Sequence, residues 1–412
     1  MAESSASENL DPARVFAKVA WRLLPVLTIA YVFNYLDRNN IGFAALTMNR
    51  ELGLTATQFG RGAGILFVGY CFLEVPSNLI LYRVGARVWL ARIMISWGVI
   101  SAATIFVKGP WSFYFVRFLL GAGEAGFFPG VAFYLGHWFP AEYRTRVIAW
   151  FMVAIPISSV LGGALSGSLL QLNGVFGLAG WKWLFLLEGL PVALLGLTVL
   201  AVLTERPEQA TWLTDAEKRF VIARVSGEVR HHEVRRLLPA IKDPRVLILG
   251  AVQFGFLVGS YGVGIWLPQI MRLGHLTDLQ IGFLTSHVDR GGNKVVNLAL
   301  SCALGGVGLL GAILSHNFWV SVAWLTLSLA GINAARGIFF TIPMRFLTGV
   351  ALAGGIAFIN SIGTAGGFVG PSMVGWLTDY TGSFTAGLAA MAGFLVASAI
   401  LAWTLTFFVG AD

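Results

Sequence analysis

Apolar runs of about twenty residues recur along this chain from Leu24 to Phe408, separated by short loops that hold most of the charge. A helix crossing ~30 Å of hydrocarbon needs about 20 apolar residues, and it satisfies its own backbone polar groups where no water can. The runs fall at Leu24–Leu46, Phe59–Leu81, Trp89–Val107, Ser112–Phe139, Val147–Leu170 and Trp183–Leu203, and again at Val246–Met271, Val295–Ile313, Phe318–Met344, Ala351–Leu377 and Phe384–Phe408. Charged residues fill 12% of the 412 positions, about half of the ~25% of a soluble domain, so a water-facing surface could not be covered. Mean hydropathy is +0.76. The chain reads as an all-α polytopic membrane protein. Soluble enzymes, nucleic-acid binders and disordered scaffolds are disfavoured together, and the excess of 28 Lys and Arg over 20 Asp and Glu sits in loops rather than on a phosphate-binding face.

Between the sixth and seventh runs the character changes. Residues 204–245 hold 16 of the 48 charged residues, with Pro207 and Pro239 near the two ends. This is a linker with a short amphipathic helix around Asp215–Val225. The expected organisation is a tail and six-helix bundle over 1–203, the charged linker over 204–245, and a second helix bundle over 246–412. Arg14, Lys18 and Arg22, then Arg83 and Arg87, then Arg144 and Arg146, and then the linker all fall on one side. The opposite loops carry little beyond Arg50, Lys108 and Lys182. By the positive-inside rule the N-terminus and linker are cytoplasmic, and the polar stretch Met1–Arg22 reads as a tail before an uncleaved signal anchor. Cys71 and Cys302 lie in apolar runs far apart and read as packing residues.

Six runs plus five is an odd count, and a weak internal repeat explains it. Leu24 and Val246, the two half-starts, are offset by 222. The basic loop Arg83–Arg87 recurs as Arg290–Lys294, offset 207, and Gly162-Gly163 recurs as Gly366-Gly367, offset 204. About 15 residues therefore disappear between Val246 and Arg290, with the junction near Ile281–His287. The expectation is that the eighth of twelve helices is largely missing. Eleven literal spans would move Arg290, Lys294 and Arg345 to the outside, against the charge rule.

Charges inside a span cost at least ~2.5–3.5 kcal/mol each and usually face a cavity or a partner. The first span holds Asp37 and Arg38 among Asn34, Asn39 and Asn40. That pairs a titratable carboxylate with an anion-binding guanidinium, the competing reading being a structural ion pair between neighbours. The fourth span holds Arg117 and Glu124, two helical turns apart and so on one face about 10 Å from each other. An arginine fork suits a carboxylate, and a proton-carrying carboxyl beside it is the minimum equipment of a proton-coupled anion symporter. The competing reading is a locked Arg–Glu pair. Glu74 and Glu188 lie toward the cytoplasmic end of their runs and are expected to pair with loop arginines as part of a gate. Arg336 is close enough to the inner interface to snorkel, and His231 and His232 are solvated in the linker.

Gly121–Gly126 matches G-x-G-x-x-G, but the dinucleotide fingerprint needs a strand before a helix that opens at the glycines, and this pattern lies inside a span. These glycines, with Gly126/Gly130, Gly163/Gly167 and Gly363/Gly367, read as close-packing positions between helices. Pro76, Pro129, Pro156, Pro191, Pro268 and Pro371 add kinks. No Walker A, HExxH or G-x-S-x-G is present, no metal-ligand spacing occurs, and the six histidines are not paired across spans as a haem would need. No cofactor, metal or enzymatic activity is expected.

Five stretches carry a family resemblance: NYLDRNNIGFA (34–44), FLEVPSNLILYRVGAR (72–87), RFLLGAGEAGFFPG (117–130), GWKWLFLLEGLP (180–191) and FINSIGTAGGFVGP (358–371). With them the whole chain resembles the major facilitator superfamily, and within it the anion:cation symporter family of bacterial tartrate, phthalate and sugar-acid permeases. The resemblance implies two six-helix bundles rocking about a central site. It implies Asp37 and Glu124 as the proton-coupling pair. Arg38 and Arg117 then handle the substrate carboxylate or couple it to the protonation state, with Tyr35 nearby and Gln253, Tyr261 and Asn360 from the second bundle. The superfamily's loop between spans two and three normally carries an acidic residue before the arginine. Here that position is Tyr82, while the second half keeps Asp289 beside Arg290, so gating in the first half with Arg83 and Arg87 rests on Glu74.

The expected function is proton-coupled symport of a small organic anion by alternating access, in a monomer of the bacterial inner membrane. An efflux or exchange transporter of the same fold and a non-transporting remnant are the alternatives, the latter because of the missing helix.

Overall fold

The computed structural model describes residues 11–226, 242–272, 294–339, 342–343, 346–347 and 349–408, and these are helices and connections without a strand. The first helix, α1 (Pro12–Leu52), opens on Asp11, whose carboxylate accepts from the Ala13 amide at 2.9 Å, with Pro12 in the first turn. It closes on left-handed Gly53. It starts twelve residues before the first apolar run, because Val15, Phe16 and Val19 are buried. The Phe16 ring packs on Tyr143 at 4.5 Å, Phe220 at 5.9 Å and Phe139 at 6.0 Å. A Thr55/Gln58 capping box starts α2 (Ala56–Val84), and α3 (Ala86–Ala103) follows.

The fourth run, expected as one span over Ser112–Phe139, is broken. α4 (Pro110–Glu124) stops at Ala125, left-handed Gly126 turns the chain, and α5 (Phe127–Gly136) resumes. The fifth run likewise divides into α6 (Ala141–Met152) and α7 (Ala154–Leu170). Then come α8 (Gly180–Val202), the linker helix α9 (Asp215–Ser226) where the amphipathic pattern put it, α10 (Pro244–Arg272), α11 (Lys294–Leu314), α12 (Phe318–Phe339), α13 (Gly349–Thr381) and α14 (Phe384–Thr404). Ten stretches among the described residues are long and apolar enough to cross a membrane. At 33 residues α13 is also longer than a crossing requires.

Two sets of helices result. In the first, α1 packs on α7 and α8, α2 on α4, and α3 on α8; in the second, α10 packs on α13 and α14, and α11 on α12 and α14. The α11–α14 contact repeats α3–α8, and α11 begins at Lys294, one residue from the 207 offset when counted from Ala86. Among the described residues no helix of the second set is the counterpart of α2. Of the ten stretches, six lie in the first set and four in the second, beside the long α13. The junction Ile281–His287, with Asp289 and Arg290, lies outside them.

The sets meet along α2–α13 and α1–α10, and the contact is tightest at the end away from Pro12. There Asp379 accepts from the Ala56 and Thr57 amides at 3.1 and 2.8 Å. Phe59 packs edge-on against Trp266 at 5.1 Å, and a Cβ on Gly60 would run into the Pro371 carbonyl oxygen.

Candidate functional site

Arg38 stands where the two sets face each other. Its Nε donates to Glu124 Oε2 at 2.9 Å and its Nη1 to the Tyr261 hydroxyl at 3.4 Å. Its guanidinium lies 5.0 Å from the Tyr70 ring centroid and 5.8 Å from that of Tyr35. Glu124 is fully buried and reaches Arg38 because it ends α4 at the Ala125–Gly126 break. Arg38, Glu124, Tyr35 and Tyr261 thus form one constellation with members from α1, α4 and α10.

Asp37 points the other way, into the first set. Its Oδ1 accepts from the Ser101 hydroxyl on α3 and from Asn40 Nδ2, the latter at 3.2 Å. The same Asn40 nitrogen donates to Glu188 Oε2 at 2.9 Å, and Ser166 donates to Glu188 Oε1 at 3.1 Å. Arg117 is buried behind the constellation, with one weak bond from Nη2 to the Ala63 carbonyl at 3.4 Å. Its Nε and Nη1 have no partner, nor do Asp37 Oδ2 and Glu124 Oε1. Opposite charges with unused valence therefore share one buried compartment, and each buried polar atom left unpaired costs about 1–3 kcal/mol.

Gln253 and Asn360 meet each other rather than Arg38: Gln253 Nε2 donates to Asn360 Oδ1 at 3.2 Å, and Asn360 Nδ2 to Glu74 Oε1 at 3.3 Å. This corrects the expectation that Glu74 and Glu188 pair with loop arginines. Glu74 bridges α2 to α13 through an amide, and Glu188 joins the Asp37 network. Neutral donors reach both carboxylates, Asn360 on Glu74 and Asn40 and Ser166 on Glu188, and neither forms an ion pair with a loop arginine among the described residues. Arg83 is exposed. Arg87 donates from Nε to the Leu200 carbonyl at 3.0 Å. The acid beside this loop is Glu205 of the linker, which accepts from the Ala86 and Arg87 amides at 2.7 and 2.9 Å. An anion on the first amides of α3 is favoured by the helix dipole.

Arg336 overturns its sequence reading. It does not snorkel. It lines a cavity of about 110 Å³ between the sets, with Tyr35, Asn39, Ser158, Ser260 and Asn333. Its Nη2 donates to Ser260 Oγ at 2.6 Å, and its guanidinium lies 5.9 Å from both the Tyr35 and Tyr261 ring centroids. Asn333 and Arg336, three apart in an otherwise apolar run, were the available signal, since polar residues at that spacing share a helix face. Gly121 packs as expected of a close-contact glycine: a Cβ there would strike the Leu66 carbonyl on α2.

Known proteins resemble this chain in sequence and in fold. The Major Facilitator Superfamily profile matches residues 27–288. A protein of Agrobacterium vitis provisionally named a tartrate transporter is 46% identical, covering 97% of this chain and 93% of its own. A quinolone resistance transporter of Acinetobacter baumannii is 38% identical over 91% of each chain. The fold also matches the Escherichia coli xylose transporter XylE in a partially occluded inward-open conformation, with TM-score 0.70, 13% identity and coverage of 95% of this chain and 100% of that one. The Agrobacterium alignment runs over 416 positions, while the covered 97% of this chain fills about 400 of them, so that relative has about sixteen residues without a counterpart here. A match over more than half its length and whole-chain relatives together place this polypeptide, a multi-pass membrane protein and not an enzyme, in the Major Facilitator Superfamily.

Proposed function

We propose that the protein carries a small organic anion across the membrane together with protons, by alternating access. The observation that carries this reading is the Arg38–Glu124 ion pair at the meeting of the two sets. A buried guanidinium held by an internal carboxylate becomes available to an external carboxylate only when the internal one gives it up. Protonation of Glu124 does that. The released arginine binds the substrate anion, and Arg117, buried with two unused donors, takes over the remaining polar contacts of Glu124 and Asp37. The bundles, divided at the linker over 204–245, then rock. With the N-terminus in the cytoplasm, the closed end at Asp379 is periplasmic, and loss of the protons to the cytoplasm lets Glu124 recapture Arg38 and expel the anion. The relative named for tartrate transport supports an organic anion as cargo.

The test is Glu124→Gln in proteoliposomes. Exchange of labelled carboxylate across the membrane is expected to persist, while uphill accumulation under a proton gradient is lost. A variant that still concentrates substrate removes Glu124 from the coupling. The 38% identity to a quinolone resistance transporter supports a second reading, drug efflux. Raised quinolone tolerance in an expressing host, with no carboxylate uptake, would decide for it, and a folded protein moving neither would be a remnant.

A further inference from the structure

Arg336 of the second set lines the cavity between the sets, and Arg38 of the first set stands against the same Tyr35 and Tyr261 that wall it. The Arg38 guanidinium, on α1, is 5.8 Å from the Tyr35 ring centroid, and that of Arg336, on α12, is 5.9 Å from the same centroid. They are therefore at most about 12 Å apart. Both also reach Tyr261, Arg38 through the hydroxyl at 3.4 Å and Arg336 at 5.9 Å from the ring. Their circumstances differ. Arg38 is held by Glu124. The strongest electrostatic neighbours of Arg336 are Tyr35, Tyr261, Tyr31 and Arg38, none of them a carboxylate. Its hydrogen bond among the described residues goes to the neutral Ser260 hydroxyl.

We propose that Arg336 is the fixed anchor for one carboxylate of a short dicarboxylate, and that Arg38, once released by Glu124, takes the other. This rests on the organic-anion reading above and narrows it. Among the described residues Arg336 is a guanidinium without an ion-pair partner in a partly desolvated cavity, and such a group favours an anionic ligand whatever the state of Glu124. A monocarboxylate satisfies that one site and leaves the second arginine unused. A dianion satisfies one arginine of each set, so its own length links α1 to α12 and ties occupancy to the relative position of the sets. The hydroxyls and amides around it, Asn39, Ser158, Ser260 and Asn333, suit a hydroxylated chain between the carboxylates.

The experiment compares succinate, tartrate and succinamate, in which one carboxylate of succinate is replaced by a neutral amide of similar shape. Binding to purified wild type, Arg336→Gln and Arg336→Lys is read by calorimetry. Wild type is expected to favour succinate or tartrate over succinamate. Arg336→Gln is expected to weaken the dicarboxylates roughly ten- to hundredfold, the usual worth of a hydrogen bond to a charged partner, and to leave no preference over succinamate. Arg336→Lys, which keeps the charge but not the fork, should fall between, and it answers the question if the glutamine variant does not fold. Dicarboxylate affinity unchanged in Arg336→Gln overturns the proposal, as does an equal loss for all three ligands. If no carboxylate binds the folded wild type, the organic-anion reading itself fails, a result distinct from either.

Discussion

Arg38 Nε and Glu124 Oε2 lie 2.9 Å apart although 86 residues separate them, and the carboxylate is fully buried while the arginine side chain keeps 13% exposure. Removing one partner of such a pair leaves the other charge without compensation, at a cost of about 3–5 kcal/mol where burial is complete. Arg38→Gln, which strands the buried Glu124, should therefore destabilise more than Glu124→Gln, which strands a guanidinium that keeps some exposure. The double variant should be more stable than the sum of the singles by about 0.5–3 kcal/mol. Denaturation of the four proteins in one detergent measures the cycle, and strict additivity would mean the pair is not coupled.

A second link crosses the sets at the far end. Asp379 on α13 accepts from the first amides of α2 at 3.1 and 2.8 Å, the position where a carboxylate cap and the helix dipole act together. Under the proposed alternating access, rocking has to break it. Asp379→Ala should shift the balance away from the arrangement closed at that end by about 0.5–2 kcal/mol, the usual worth of a cap. Spin labels at exposed Arg50 and Tyr380 should then report a larger share of long distances. An unchanged distribution would assign Asp379 to local capping alone.

The linker helix offers a pH test outside the membrane. Burial alone would raise the Glu217 carboxyl, but the Lys18 hydrogen bond at 2.8 Å and the Thr214 amide outweigh it and hold the group below the usual carboxylate range. A depressed folded value contributes stability above the unfolded pKa of about 4.3 and loses it as pH falls through the folded value. Lys18 is well exposed, so the effect is small. Hydrogen exchange in α9, corrected for its intrinsic pH dependence, should stay constant from neutrality to about pH 5 and rise below about pH 4. Lys18→Gln should flatten that rise.

Apolar length makes the spans legible, because a bilayer admits few other solutions for an uninterrupted run of that kind. The same logic correctly marks Asp37, Arg38, Arg117 and Glu124 as groups that avoid lipid. It does not say whom they face. Arg38 and Asp37 are adjacent and look in opposite directions, and that depends on helix rotation, which neighbours set. The α4–α5 break hides in a glycine-rich stretch that reads equally well as a packing seam, and only the left-handed Gly126 decides it. Arg336 was misjudged because depth was counted along the chain, while its face was legible in the Asn333–Arg336 spacing. The loss of about fifteen residues in the internal repeat agrees in size with the sixteen or so extra positions of the Agrobacterium relative.

Two glycines separate closing from packing. Gly60 approaches the Pro371 carbonyl across the two sets, and Gly121 approaches the Leu66 carbonyl within the first set. In both, the obstacle is backbone, so no rotamer change relieves an added side chain. The outcomes should nevertheless differ. In Gly60→Val the collision can be removed by separating the sets at the Asp379 end, a movement the proposed transport cycle requires. The variant should fold, melt within about 1 kcal/mol of wild type as a tolerated substitution does, and show the long Arg50–Tyr380 distance. In Gly121→Val, α2 and α4 have no alternative arrangement, so overpacking of about 1–3 kcal/mol or more falls on stability itself. That protein should melt earlier with its distance distribution unchanged. If both variants lose stability alike and neither changes the distance, the far end is a fixed seam and the sets do not part there.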